Sequence, residues 1–492
     1  MLSLIIWIPL VAGLIAALAP QRFAAWIAGT GVTATLVLAI VVLIGFDPDG
    51  GLQYVTDVTW IPGLGVDYNL GVDGLSIFLV LLTAVAWIPG VLFSASRNSG
   101  GDRAGLYYLM LLAGETATLG AFLSQDLLLF VLFFDLMIVP FYFLFGIWGQ
   151  DRDGVKASAA TLKMIVFTLI GSLLMLVCAI ALAVISADGG ELTFNMTELA
   201  ARGLPSGSQN WIFWFFAVAF LVKMPAFPLH GWMPDAYRAA PLPALAVFSA
   251  VLSKVGAYGF LRVVLPLMPD ATELFQTAML IIGLASIIYG SVMAFTKTDL
   301  RLILGFSSIA QLGFITAGIF ALNSSGGEGA LLQMINHGVV VVPAFLIVAL
   351  ISERFGGEDI VGMGGLAKKA PVFAVVFLIV TMATLAIPGS PNFIGEFFIV
   401  NGIFQTDVAI AIIATSGMAF SAFYALRMYQ RTMHNPLPDG ADSREISLRD
   451  GLVIVPMVLI TVVLSFCPQL IIHGSEPAVD AAVALTKVEA GE

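Results

Sequence analysis

Charge is what this 492-residue chain has least of: 11% of its residues are Asp, Glu, Lys or Arg, while 59% are hydrophobic. Water-soluble domains carry about 25% charged residues, so a soluble multidomain protein is excluded despite the length. Cysteine is nearly absent as well. Cys178 and Cys467 both sit in apolar runs and match no redox or metal spacing. They are expected as small buried hydrophobes, and a disulfide scaffold or zinc site is excluded. Of four histidines, only His337 falls clearly inside an apolar run, so the facing pairs that haem ligation wants are missing. Basic residues are outnumbered 21 to 32, for a net charge of −11. That balance argues against a nucleic-acid partner. No metal and no cofactor is expected on the chain.

What the sequence does have is a succession of apolar runs of ~20 residues, the length that crosses a bilayer. The first, LSLIIWIPLVAGLIAALA, has no basic lead and no cleavage site. It reads as a retained span, not a signal peptide. The reading gives an all-α polytopic membrane protein of fourteen spans, centred near Leu10, Leu36, Thr83, Thr116, Asp135, Ser172, Ala219, Lys254, Ala285, Gln311, Val341, Leu378, Ser416 and Thr461. Charge tests the count. Odd-numbered loops hold Arg22; Arg97 and Arg103; Arg152 and Lys156; Arg238; Lys297 and Arg301; Arg354, Lys368 and Lys369; and Arg427, Arg431, Arg444 and Arg449. The other side holds Arg202, Arg262 and Lys487. The positive-inside rule makes the odd loops cytoplasmic and puts both termini on the opposite side. The longest gap, DPDGGLQYVTDVTWIPGLGVDYNLGVDG, is glycine-rich and acidic and is expected to form a hairpin or capped loop. Residues 190–208 are expected along the membrane surface, and the tail SEPAVDAAVALTKVEAGE as a mobile polar end.

Ionisable groups inside spans are expensive and mark function by default. Here they are Glu115, Asp135, Lys163, Lys223, Lys254, His337 and Glu396. The plainer reading of each is a structural ion pair or a side chain reaching the interface. It weighs equally for Lys163, near a helix end, and least for Asp135 and Lys254, deep in LLLFVLFFDLMIVPFYFLF and ALAVFSAVLSKVGAYGFL. Burial favours the neutral form of acid and lysine alike, and an opposite charge favours the charged form. A lysine that gains and loses an acidic partner is therefore a proton site. Asp135, Lys223, Lys254, His337 and Glu396 occupy five spans, which reads as a relay.

Two spans also carry helix breakers at mid-depth. In span seven, Pro225 and Pro228 follow Lys223; in span twelve, Pro388, Gly389, Pro391 and Gly395 precede Glu396. Irregular backbone inside a membrane needs protein or a watery cavity around it. Inverted-repeat transporters place such breaks at matching positions. Spans 4–8 and 9–13 then form two five-helix repeats, each broken in its fourth span, and the odd number inverts the second. The expected segments are residues 1–104 (spans one to three), 105–267 and 268–430 (the repeats) and 431–492 (span fourteen and tail). Gln311, in SSIAQLGFITAG, is a lone amide that could bind a water chain or join two helices. His337 titrates near physiological pH when unperturbed. His230 reads as structural.

The segments KMPAFPLHGWMPDAY, LSKVGAYGFLR, TKTDLRLILGFSSIAQLGF, QMINHG, IPGSPNFIGEF and FVLFFDLMIVPFYFLFGIWG carry a family resemblance. They are similar to signature segments of the antiporter-like membrane subunits of proton-pumping NADH-quinone oxidoreductase (respiratory complex I), of the subunit M type. The likeness runs from about residue 70 to about residue 430. Mrp-type cation/proton antiporter subunits share the fold and the lysine motif, but Glu396 after the Pro-Gly break resembles the subunit M type. The resemblance implies a multi-pass subunit of the bacterial cytoplasmic (inner) membrane that translocates protons without a redox cofactor of its own. NADH, FMN, iron–sulfur clusters and quinone are then expected in partner subunits, and other membrane-arm subunits and lipids as neighbours. Carried over by motif, Asp135 pairs with Lys223, Lys254 is central, Glu396 leads to the outlet and His337 joins them. Glu115, Lys163 and Gln311, polar groups inside spans, are expected in support. Two departures stand out. Asp135 replaces the usual glutamate and is one methylene shorter, so it needs a close approach or a water to meet Lys223. Gln311 stands where a histidine is frequent and cannot titrate. The rival readings are an Mrp-type Na+/H+ antiporter subunit driven by an ion gradient, a subunit of a related membrane-bound redox complex, and a membrane scaffold without transport.

Overall fold

The computed structural model describes residues 1–484; Lys487 and the end of the tail lie outside the described residues. Every one of the fourteen expected span centres falls in a helix. Among the described residues, eleven helices are individually long and apolar enough to cross a membrane. The other three spans are shorter or divided. Span one is Leu2–Leu18. Span seven is Ser206–Lys223 followed by Met233–Ala239, and span twelve is Pro371–Thr384 followed by Pro391–Thr406. Proline lacks the N–H that a helix interior needs, and both divisions fall where the prolines stand.

The asymmetry of charge corresponds to two ends of the bundle. At one end Arg97 pairs with Glu353 at 2.9 Å and with Asp450. There too Arg152 meets Glu358 at 2.5 Å and Asp299 at 3.3 Å. Arg301 adds bonds to Glu358 and to the Arg238 carbonyl, at 2.5 and 3.2 Å. Each contact joins odd-numbered loops or the helix ends beside them. At the other end Arg262 pairs with Asp73, Gln209 donates to Asp270 at 3.1 Å and Asn323 donates to the Gly402 carbonyl at 2.8 Å. These join even-numbered loops or the helix ends beside them. Against the cost of burial, Glu358 and Asp299 hold the Arg152 guanidinium above its ordinary value.

The long second loop is a hairpin, Gln53–Ile61 antiparallel to Val66–Val72. Gly65 turns it at φ +65°, and a Cβ there would strike the Leu192 carbonyl. Glycine is required on both counts. Phe194 N–H donates to the Gly65 carbonyl at 3.2 Å, which ties the 190–208 segment, with its short helix Met196–Arg202, to the hairpin. Two expectations are corrected. The tail is not a free polar end as far as it is described: Gln469–Ala484 is helical, buries Ile471, Ser475 and Val479 on one face, and donates from Ser475 to Glu328 at 3.1 Å. An i, i+4, i+8 period sits inside its polar composition. Cys178 is buried, but Cys467 is exposed, because the residue before Pro468 is turned out of the helix.

Candidate functional site

Lys223 is the last residue of its helix, where unpaired carbonyls favour a cation. The break behind it is satisfied by protein: Trp232 Nε1 donates to the Val222 carbonyl at 3.0 Å, Ala226 N–H to Leu221 O at 2.9 Å, and Phe227 N–H to Ser286 Oγ at 3.0 Å. The Lys223 ammonium donates to the carbonyl of Phe134 at 3.2 Å and lies 4.6 Å from that ring's centroid. Lys223 forms no ion pair among the described residues. The Asp135 carboxylate is taken instead by Ser172, whose hydroxyl donates to it. Span five is itself divided at Met137, between Leu127–Leu136 and Ile138–Trp148. Pro140 cannot bond back to the carbonyl of residue 136, and Phe134 and Asp135 lie in the turn just before the division. Sequence reading passed over this third break, although Pro140 is plain in DLMIVPF.

Span eight carries Lys254 between two wide π-type turns, Phe248–Leu252 and Phe260–Val264. Such turns release backbone groups and recur at functional sites. The freed Ser249 carbonyl accepts from Lys254 Nζ at 3.0 Å, Ser253 Oγ lies at 3.4 Å, and His337 Nδ1 at 2.8 Å. Lys254 is wholly buried, and among the described residues it has no acidic partner. Spans seven and eight abut beside both lysines: a Cβ on Gly256 would come within 2.8 Å of the Phe220 carbonyl. A cavity of about 20 Å³ adjoins Lys223 and reaches Leu252, two residues before Lys254.

Span eleven extends the line. Gln333 lies one helical turn before His337, on the same face. Its Nε2 donates to Gln311 Oε1 at 2.5 Å, and Gln311 Nε2 donates to Glu396 Oε1 at 2.8 Å. A Cβ on Gly395 would crowd Gln333, with its Cα at 3.1 Å, so the glycine beside Glu396 makes room for the amide chain. Glu396 is wholly buried in the second piece of span twelve, which Ser390 caps by accepting from Phe393 N–H. His337 Nε2, Gln333 Oε1 and Glu396 Oε2 are buried without a partner among the described residues.

The site therefore comes in two groups. Asp135 and Lys223, with Ser172, lie on spans five to seven. Lys254 and His337 form a bonded pair, and one turn along span eleven Gln333 bonds Gln311, which in turn bonds Glu396. Ser172 and Gln333 were missed because a serine and a glutamine in helices are common. The only cue for Gln333 was its spacing from His337. Lys163 stands apart, half-exposed and paired with Asp235 at 2.8 Å. His230 bonds Tyr289 at 3.0 Å through Nε2, away from both groups. Among the described residues no cluster of His, Cys, Asp and Glu could hold a metal.

Residues 124–421 match the family pattern described as NADH:quinone oxidoreductase/Mrp antiporter, TM. NADH-quinone oxidoreductase subunit M of Rhodobacter capsulatus is 35% identical, with 97% of this chain and 95% of that protein covered. The protein of that name in Escherichia coli K12 is 35% identical over 86% of this chain and 84% of its own length. Among solved structures, a chain of respiratory complex I from Thermus thermophilus superposes with a TM-score of 0.90 at 28% identity, covering 99% of this chain and 100% of that one. A chain of the Mrp complex from Dietzia sp. gives a TM-score of 0.86 at 20% identity over 98% of each chain, a likeness of fold alone. The chain thus belongs to the NADH:quinone oxidoreductase/Mrp antiporter family, among the subunit M members of complex I, as an antiporter-like multi-pass membrane subunit.

Proposed function

We propose that this chain moves protons across the bacterial cytoplasmic membrane, driven by quinone reduction in other subunits of the complex. The observation that carries the reading is the buried polar chain itself. Lys254 is bonded to His337, and one turn away Gln333 and Gln311 reach Glu396. So many buried polar groups in one line are costly unless they are used.

Asp135 and Lys223 form the switch. With the Asp135 carboxylate held by Ser172, Lys223 has only a carbonyl and a ring for company. Its ammonium then readily gives up a proton. When the carboxylate turns to Lys223, the opposite charge favours the ammonium and the proton stays. A change arriving from the rest of the complex would shift Asp135 between these partners. From Lys223 the proton passes through the cavity of about 20 Å³, room for one water, toward Lys254. His337 accepts it at Nδ1 and releases one from Nε2. A water held between Nε2 and Gln333 Oε1 takes that proton, and water beside Glu396 Oε2 delivers it to the carboxylate, since these three atoms are buried and unpartnered among the described residues; the two amides orient the path and carry no proton. Gln311 cannot titrate; it holds Glu396 in line.

In this reading spans 4–8 and 9–13 are inverted repeats, the arginine-rich end faces the cytoplasm, and both termini face away from it. The neighbours are other membrane-arm subunits and lipid, and the redox groups sit in other chains. The test is Lys223→Ala in the assembled complex, reconstituted in vesicles. Proton uptake per electron should fall to background while the complex still assembles. Undiminished pumping would overturn the mechanism.

A further inference from the structure

Among the described residues, Lys254 and Glu115 are both wholly buried and without an opposite charge. Lys254 donates to neutral atoms only: the Ser249 carbonyl, Ser253 Oγ and His337 Nδ1. Among the described residues Glu115, in span four, has no partner for either carboxylate oxygen. Its neighbour Gly114 faces Phe141 and Trp87, so the flank offers aromatic carbon. A carboxylate charged and alone in such a place is strongly disfavoured. Lys254 poses the same problem with the opposite sign.

The two helices adjoin and run in the same direction, both starting from the arginine-rich end. Their register is fixed by one contact. Tyr258 Oη donates to the Phe122 carbonyl at 3.1 Å, and the two rings meet edge-on at 5.3 Å. Glu115 lies two turns before Phe122 and so on the same face; Lys254 lies one turn before Tyr258, likewise. At ~1.5 Å rise per residue these steps are ~10.5 and ~6 Å, so Glu115 and Lys254 differ in depth by only ~4–5 Å.

We propose that Glu115 is the acid counterpart of Lys254, a further proton-transfer residue that exchanges one proton with it directly or through a single water. In the forward step the carboxyl O–H bond of Glu115 breaks and an N–H bond forms on the Lys254 amine, leaving carboxylate and ammonium. In the reverse step the ammonium returns the proton. The pair carries no net charge in either state, so neither state strands a lone charge in the bundle. The lone acid of span four and the unpaired lysine of span eight thus answer one another. The inference rests on the relay proposed above, in which Lys254 carries protons.

The test uses the intact complex carrying Glu115→Gln, Glu115→Asp or Lys254→Gln, with assembly measured separately from pumping. Glu115→Gln should assemble and lose most of its proton pumping, tenfold or more. Glu115→Asp should recover a substantial part. Infrared difference spectra of the native complex should contain a protonated-carboxyl band that Glu115→Gln removes. If Lys254→Gln stops pumping while Glu115→Gln pumps normally and keeps the band, Glu115 has no such role and the relay still stands. If Lys254→Gln itself pumps normally, the relay fails first. Should Glu115→Gln not assemble, Glu115→Asp decides: intermediate pumping with a shifted carboxyl band supports the exchange, and wild-type values of both refute it.

Discussion

Replacing Gln311 with leucine tests the amide chain most sharply, because its cost can be worked out from the bonds it breaks. Gln311 gives Glu396 Oε1 its amide donor at 2.8 Å and gives Gln333 Nε2 its acceptor at 2.5 Å. All three side chains are buried. Leucine fills similar space but strands one acceptor and one donor. Each stranded group costs about 1–3 kcal/mol, so the change should cost about 2–6 kcal/mol in all. Replacing Gln333 with leucine as well removes the second stranded group. Taking away both partners of a buried hydrogen bond is close to neutral, so the double variant should regain part of the loss. The assay is the midpoint of thermal inactivation of the purified complex, with pumping measured on the same preparations. The expected order is wild type, then double variant, then Gln311→Leu. If Gln311→Leu matches wild type, or the two substitutions simply add, the residues are not coupled as described.

Two further substitutions probe the switch and the far loops. Ser172→Ala frees the Asp135 carboxylate from its hydroxyl partner; the carboxylate should then settle on Lys223 and slow pumping several-fold without loss of assembly, and an unchanged pumping rate would show that Ser172 takes no part. Burial raises the Asp126 carboxyl above its ordinary 3.8, although the N–H groups of Leu129 and Asp67 pull it down. A raised carboxyl means the folded state holds its proton longer than the unfolded chain, so its stability contribution falls as pH rises from 3.8 through the raised value. Asp126→Asn keeps a cap acceptor without that penalty, so its stability relative to wild type should improve across that window; thermal midpoints measured at a series of pH values would reveal no such trend if the assignment is wrong.

Much of this was legible because the physics of a membrane span is severe. Apolar length fixed where the helices run, and the arginines sorted their ends; the pairings of Arg97, Arg152 and Arg301 follow that sorting. The lysines and acids stood out because hydrocarbon tolerates so few of them. Less legible was everything that depends on side-chain reach. Nothing in the sequence says that Asp135 turns to Ser172 while Lys223 takes the carbonyl of Phe134. The π-type turns around Lys254 leave no mark in composition, since their residues are ordinary helix formers. The tail was misread because averaging its polarity hid the face of Ile471, Ser475 and Val479. Pro140 was visible, but without the opened turn beside it a lone proline in a membrane helix says little.

The most direct test of the central claim is a map of the assembled complex sharp enough to show ordered water along the path from Lys223 to Glu396. The account predicts water in the cavity between Lys223 and Leu252, and a second water joining His337 Nε2 to Gln333 Oε1. A map in which those atoms are instead closed off by apolar side chains, with no water between them, would contradict a proton path along this line.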